Sequence, residues 1–184
     1  MNIKDIIKEI KNDKENYLGK KSFIYVIIGH QNYVYYKALK YNRLYRFYKL
    51  NHKGIINKIK YIYITKKKNL YCNKYGLEIN GAKLGKNFTI FHSNIIINEK
   101  SSFGDNCYLH GNNCIGNNGI NNACPQIGNN VDVGYGTVII GNVKIGDNIV
   151  IGANSIVNKD LLENNAIYAG CPAKLVRRKN EVDN

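Results

Sequence analysis

Apolar residues recur at every sixth position through the second part of the chain, from about residue 76 onward. In the series that starts at Ile97, ten of eleven positions are apolar, and glycine directly follows many of them. The residues between are rich in Asn, Asp and Gly, which tolerate the left-handed backbone conformation of tight corners. A period of six fits neither a helix nor a β-hairpin, and it predicts a parallel β-helix whose short strands share one core. The eleven positions are Ile97, Phe103, Leu109, Ile115, Asn121, Ile127, Val133, Ile139, Ile145, Ile151 and Val157.

The single polar position of this series, Asn121, lies in the segment NNGINNACP. Gly, Asn and Pro are crowded there, as is typical of loops. Because the apolar series continues in the same phase beyond the segment, the pattern predicts a loop that leaves the coil and rejoins it without a shift.

The first part of the chain has helical spacing instead, with amphipathic stripes and lysines on the opposite faces. We predict a helical region over residues 1–75, a β-helix over residues 76–170 and a tail over residues 171–184. Two of the stripes are Ile3, Ile6, Ile7 and Ile10, and Tyr41, Leu44, Tyr45 and Tyr48.

Charge divides the chain at the same place. Residues 1–75 carry 18 Lys and Arg against 4 Asp and Glu, together with 12 of the 15 tyrosines, whereas residues 76–184 carry 9 of each charge. The net charge of +14 therefore arises in the helical part. Basic charge with interleaved aromatics is compatible with single-stranded nucleic acid, but no motif that reads DNA or RNA is present, so we expect no nucleic-acid partner. Solvated outer faces of packed helices and contact with an anionic membrane surface are the other interpretations.

Composition limits the class of protein. With 44% hydrophobic residues, 184 residues can bury the core of one domain with an extension. The longest apolar run near the start, FIYVII, is far shorter than the roughly 18 residues of a membrane span, and no leader pattern is visible. Five cysteines without a CxxC pair predict neither a disulfide framework nor a zinc knuckle. We expect a soluble, cytoplasmic protein.

Two of the four histidines, His92 and His110, lie in the coil region, and their separation is three hexads. Because three hexads make one full turn of a triangular coil, this spacing predicts that both lie on one face in adjacent coils, about 4.8 Å apart along the stack. The earlier apolar positions Leu84 and Ile90 are offset by one from the series that begins at Ile97, which predicts an extra residue between them.

The repeat and the closing segment IGANSIVNKDLLENNAIYAGCPAKLVRR resemble the left-handed β-helix acyltransferases, the hexapeptide-repeat family that includes serine acetyltransferases and many sugar O-acetyltransferases. The resemblance covers about residues 76–178. It implies triangular coils of three hexads with left-handed crossovers, a homotrimer with active sites between subunits, and acetyl-CoA as co-substrate.

The resemblance also implies roles for single residues. His92, in TIFHSNIIIN, stands at the place of the general base, and Glu78, in GLEINGAKLG, at the place of the acid that orients it. His110 is a candidate for substrate contact, with a stacked structural role as the alternative. A zinc site like that of β-helix carbonic anhydrases needs three histidines, and these coils have two, so no metal is expected.

Coenzyme A contacts are implied in the later coils, where small residues let a pantetheine arm approach the backbone and basic residues meet phosphates. Ordinary repeat glycines and solvated charges are the alternative interpretation of the same residues. The candidates are Gly134, Tyr135, Gly152, Ala153, Asn158, Lys159, Lys174 and Arg177.

Two departures from the serine enzymes bear on the acceptor. Serine acetyltransferases resemble one another in an aspartate before the catalytic histidine and an Arg-His pair before the proline that ends the loop, where this chain has Phe91, Ala123–Cys124 and Pro125. Both changes remove charge that a zwitterion needs. We therefore expect acetyl transfer to a sugar hydroxyl of a bacterial surface glycan, as in the resembling enzymes of capsule and lipopolysaccharide synthesis, with Phe91 and Cys124 near the acceptor. Serine acetylation, and a non-enzymatic trimeric scaffold with a basic binding arm, are the alternatives.

Overall fold

A computed structural model describes residues 2–179, so Met1 and residues 180–184, which belong to the predicted first and last segments, lie outside the described residues. The chain divides into two compact units, Met1–Gly81 and Ala82–Asn184. Helices fill the first unit and short strands the second. The sequence-based boundaries at residues 75 and 170 stay predictions.

The helical unit has four α-helices, a short 3-10 turn and one short strand. Asn2 caps the first helix, because its side chain accepts a hydrogen bond of 3.0 Å from the Lys4 N–H. The predicted isoleucine stripe is only partly correct, since Ile6 is buried but Ile7 is 58% exposed. None of the helices within residues 2–179 combines the length and apolar character that a membrane span needs. The elements are α1 (Ile3–Leu18), the turn Gly19–Lys21, α2 (Ser22–Ile27), α3 (Gln31–Leu50), α4 (Ile55–Asn73) and β1 (Leu77–Glu78).

A buried ion pair joins α1 to α3. The Arg43 side chain is 3% exposed and donates from Nε to the Asp13 carboxylate at 2.7 Å and from Nη1 to Glu9 at 2.8 Å. The Asp13 side chain is fully buried.

We expect Arg43→Leu to lower the free energy of unfolding by about 3–5 kcal/mol, because it leaves the Asp13 carboxylate buried without its guanidinium partner. Urea unfolding of the full chain, followed by circular dichroism, measures this. Arg46→Leu, on the same helix, is the matched control. A loss for Arg43→Leu no larger than that of the control would contradict the prediction.

The coil unit consists of thirteen short strands in three sheets within residues 2–179. Strands β3, β6, β9 and β12 follow one another in the first sheet, β4, β7 and β10 in the second, and β2, β5, β8, β11, β13 and β14 in the third, called here the long sheet. All pairings are parallel except that of β13 with β14. The strands are β2 (Thr89–Ile90), β3 (Ile95–Ile97), β4 (Ser102–Phe103), β5 (Tyr108–Leu109), β6 (Cys114–Gly116), β7 (Gln126–Ile127), β8 (Asp132–Val133), β9 (Val138–Ile140), β10 (Lys144–Ile145), β11 (Val150–Ile151), β12 (Ile156–Val157), β13 (Ala166–Gly170) and β14 (Ala173–Arg178).

The six-residue pattern is confirmed as the core of this unit, since all ten apolar positions of the series are at most 5% exposed. The loop at Asn121 is also confirmed. Ser102 pairs with Gln126, four hexads further along the chain, whereas Gln126 pairs with Lys144, three hexads further along. The loop therefore adds one hexad to its coil and keeps the phase.

Asparagine forms most of the corners. Eight asparagines have φ between 52° and 59°, in the left-handed region that this side chain tolerates better than most. Some of them also stack as a ladder, in which the Asn87 amide donates to Asn106 at 2.9 Å and Asn106 donates to Asn130 at 3.0 Å. The richness in Asn is therefore a property of the corners.

Candidate active site

The predicted stacking of His92 on His110 is wrong by one residue. Thr89 pairs with Tyr108 and Ile90 with Leu109, so this coil is one residue longer than three hexads, and Phe91 lies beside His110. Ile96, in contrast, pairs with Cys114, which follows it by three hexads. The predicted extra residue is therefore confirmed, and it lies in the corner that contains His92.

His92 lies over Gly111 in this corner. A Cβ on Gly111 would be 2.6 Å from the Cβ of His92, and Gly111 has φ +109°, so only glycine fits there. The Gly111 N–H donates to Asn113 Oδ1 at 2.9 Å, and Asn113 Nδ2 donates to the Gly134 carbonyl at 2.8 Å. Asn113 is 1% exposed, so a buried amide fixes the backbone beneath His92.

Three rings and a carboxylate form a patch on the long sheet beside His92. The ring centroid of Phe91 is 4.9 Å from that of His110 and 6.1 Å from that of Tyr108. Nε2 of His110 is 2.8 Å from Oδ1 of Asp132, and both side chains are 40% exposed. Asp132 was not among the sequence candidates. The available signal was its place one residue before the core position Val133, where an outward-facing side chain is expected.

A row of small residues continues from His110 across the long sheet. The backbone pairings place Gly134 next to His110, Gly152 next to Gly134, and Ala169 next to Gly152. Lys174 of β14 pairs with Ala169 and ends the row. We call Gly134, Gly152 and Ala169 the small-residue row.

Close packing of the coils already requires glycine at position 134 and leaves little room for a side chain at position 152. A Cβ on Gly134 would lie 2.5 Å from the Ala153 nitrogen, and one on Gly152 would lie 3.0 Å from the Ala169 Cβ. Gly134 and Gly152 can therefore be explained by coil packing alone, and contact with coenzyme A is a second possible role for them.

The remaining sequence candidates divide into two groups. Tyr135 and Ala153 are exposed and continue the corner row that begins with His92 and Gly111. Asn158 and Lys159 lie at another corner, after β12, and Arg177 lies in β14 opposite Ile167. Cys124 is buried at the end of the loop before β7. Within one chain, Asn158, Lys159, Arg177 and Cys124 therefore do not belong to the corner row that contains His92.

Glu78 is exposed in β1, in the helical unit, whereas His92 belongs to the coil unit. Its pairing with His92 stays a prediction.

Cysteine chemistry is unfavourable at two positions. Burial raises the pKa of the Cys72 and Cys107 thiols to about 11, so both stay protonated near neutral pH. Among residues 2–179, no cluster of three or more His, Cys, Asp or Glu side chains is arranged to hold a metal ion.

Serine acetyltransferases match this chain in sequence and in fold. The serine acetyltransferase of Synechococcus elongatus is 35% identical over 107 residues, which cover 56% of this chain and 43% of that protein. The crystal structure of the Neisseria gonorrhoeae serine acetyltransferase has a TM-score of 0.76 at 22% identity, and the match covers 97% of this chain and 69% of that one. The chain is thus similar to serine acetyltransferases in sequence over about half of its length, and it shares their fold.

The fold is the predicted left-handed parallel β-helix with an N-terminal helical region, because the solved serine acetyltransferase structures that match it have this fold. A Brucella abortus serine acetyltransferase solved in complex with coenzyme A also matches, with a TM-score of 0.72 at 20% identity over 92% of this chain and 66% of that one. No family model matches the chain. The chain spans about half the length of the curated relatives it matches. A place among the sugar O-acetyltransferases stays a prediction.

Proposed function

We propose that this protein is an acetyl-CoA-dependent O-acetyltransferase whose reaction takes place at the His92 corner. The small-residue row supports the proposal most directly, because it joins the histidines to a lysine across one face. Four strand spacings from His110 to Lys174 amount to roughly 19 Å. A thin thioester arm fits over backbone that carries no large side chains, and Lys174 offers a cation to its phosphates.

His92 is proposed to accept the proton of the acceptor hydroxyl. The hydroxyl oxygen attacks the thioester carbonyl, a carbon–oxygen bond forms, and the carbon–sulfur bond breaks. The proton passes through the imidazole to the departing thiolate, so the products are an O-acetyl ester and free CoA thiol. Glu78 is proposed to orient the imidazole, as a carboxylate does in a hydrolase triad.

L-serine is the first candidate acceptor, because the relatives and solved structures named above are serine acetyltransferases. This order corrects the one that the sequence suggested, in which a sugar hydroxyl came first.

A sugar hydroxyl is the second candidate, and Phe91 favours it. The Phe91 ring is 41% exposed and packs against Tyr108 and His110, so an aromatic wall adjoins His92. The neighbouring carboxylate of Asp132 already accepts a hydrogen bond from His110. A neutral acceptor costs less to desolvate against such a wall than a zwitterion does.

Thiol release from acetyl-CoA, measured with L-serine and with a panel of free, nucleotide-linked and lipid-linked sugars, separates the two candidates. Stimulation by serine alone supports the first candidate, and stimulation by a sugar alone supports the second. Hydrolysis of acetyl-CoA that no acceptor accelerates would contradict both.

Trimer formation is proposed through the outer side of the sheet formed by β3, β6, β9 and β12. The side chains that point outward from paired positions of this sheet are apolar. Those at the corresponding positions of the second sheet, Ser102, Gln126 and Lys144, are polar. Exposed apolar surface of this kind is typical of protein interfaces. We call the surface formed by these outward side chains the apolar outer face. It consists of Ile96, Cys114, Val138 and Ile156.

Contact of the helical unit with an anionic membrane surface is also proposed. Helix α4 contains five lysines and no acidic residue, and its isoleucines Ile55, Ile59 and Ile62 are each more than 60% exposed. Aliphatic side chains between lysines fit the headgroup region of a bilayer.

Wild-type protein is expected to sediment with vesicles that contain anionic lipid and not with zwitterionic ones. Ile59→Asp should weaken this binding, whereas Ile120→Asp, at an exposed position in the loop of the coil unit, should not. Contact with an anionic membrane would be contradicted if the protein sedimented equally with both kinds of vesicle, or if it sedimented with neither.

A further inference from the structure

We propose that Asp132 is a positioning residue of the acceptor site, which holds the His110 imidazole by Nε2 so that Nδ1 faces the acceptor. This inference rests on the proposed function and adds a second binding point to it. The Nε2–Oδ1 distance of 2.8 Å is that of a hydrogen bond, and both side chains are reachable from solvent.

The bond selects one tautomer of neutral His110. A carboxylate only accepts, so Nε2 carries the proton and Nδ1 keeps its lone pair. The Phe91 ring, tilted by 40° at 4.9 Å, packs against the imidazole and limits its rotation. His110 is thereby arranged to accept a hydrogen bond from a ligand.

The position of His110 gives this acceptor atom a use. Gly111, the next residue along the chain, lies directly beneath His92, so His110 and His92 occupy one corner in adjacent coils. A substrate whose reacting hydroxyl meets His92 therefore presents a second donor to His110. This donor is a neighbouring hydroxyl in a sugar and the ammonium group in serine.

Asp132 differs from the other described aspartates of the coil unit. Asp105, Asp147 and Asp160 each accept a backbone N–H of a neighbouring coil, at 2.8, 2.6 and 2.8 Å, and so fasten corners. Asp132 accepts from a histidine at the candidate site instead. A hydrogen bond between side chains as exposed as these contributes little to stability, so its value lies in orientation.

Steady-state kinetics of Asp132→Ala, His110→Ala and the double variant test the proposal, with the acceptor that stimulates wild type. Asp132→Ala is expected to raise the acceptor KM about tenfold and to leave the acetyl-CoA KM within twofold. The double variant should be no worse than His110→Ala, because Asp132 acts only through His110. Asp132→Asn should recover part of the loss, since its amide oxygen still accepts from Nε2. Lys144→Ala, exposed on the second sheet, is the matched control and should change neither KM.

An unchanged acceptor KM in Asp132→Ala, or fully additive losses in the double variant, would overturn this inference while the proposed function stands. Equal rises in both KM values, with a lowered unfolding temperature, would also overturn it, because they indicate a structural role. A wild-type protein that no acceptor stimulates would instead overturn the proposed function, and this inference with it.

Discussion

Replacement of His92 by alanine is expected to lower acceptor-dependent thiol release by about 10²- to 10⁴-fold, the contribution typical of a positioned general base. His92 is exposed at the corner where the first coil carries its extra residue, and Gly111 leaves room beneath it. Removal of the imidazole takes away the group that accepts the hydroxyl proton and leaves the backbone of the corner unchanged. The loss should therefore appear in kcat, with the acetyl-CoA KM nearly constant.

His52→Ala is the matched control for this experiment. His52 is an exposed histidine of the helical unit, and its Nδ1 atom contacts the Lys49 carbonyl at 2.7 Å. The control should keep wild-type activity. A His92→Ala variant that retains more than about a tenth of wild-type kcat would show that another group takes the proton.

Substitution of Val138 by lysine is expected to dissociate the proposed trimer and to abolish activity. Val138 lies between Cys114 and Ile156 in the apolar outer face. Burying an ammonium group there without a partner is prohibitively unfavourable, so the subunits separate. Because the proposed active sites lie between subunits, activity should fall with the trimer even though His92 is intact.

Light scattering coupled to size exclusion, together with the thiol assay, measures both effects. Gln126→Lys places the same side chain among the outward side chains of the second sheet, which are already polar, and should stay trimeric and active. A Val138→Lys protein with the mass of a trimer would show that subunits associate through another face.

The six-residue period made the coil predictable because it is a property of the core. Each apolar position needs only to point inward, and the loop at Asn121 was recognisable because the phase resumed after it. The asparagine corners were likewise local, since the left-handed conformation depends on one residue at a time.

The adjacency of outward side chains was not predictable in the same way. Strand β8, which contains Asp132, lies four hexads after β5 because the loop lengthens that coil, and Asp132 reaches His110 diagonally across the two strands. The sequence separation of His110 and Asp132 is not a whole number of hexads, so it predicts their contact only once the length of the loop is known.

The extra residue of the first coil set a similar limit. The offset after Ile90 revealed this residue but not its position between Phe91 and Asn94, so the sequence paired His92 with His110 where the structure pairs Phe91 with it. Asn113 was missed because a buried amide in an Asn-rich segment looks like one more corner residue.

The helical unit shows a further limit of pattern reasoning. Helical spacing located α1 and α3, but it does not show which apolar residues of each stripe are buried against another helix. Ile7 is exposed although it belongs to the same stripe as buried Ile6. The Arg43–Asp13 pair joins two different helices, and a sequence pattern contains no signal for it.

The measurement that tests the central claim most directly is mass spectrometry of the acceptor after incubation of the purified full chain with acetyl-CoA. Wild type is expected to add the mass of one acetyl group to L-serine or to a sugar, with equimolar release of CoA thiol, and His92→Ala is expected to add none at the same time point. An acceptor pool that stays unmodified in the presence of the wild-type protein, or one modified equally by His92→Ala, would contradict acetyl transfer at the His92 corner.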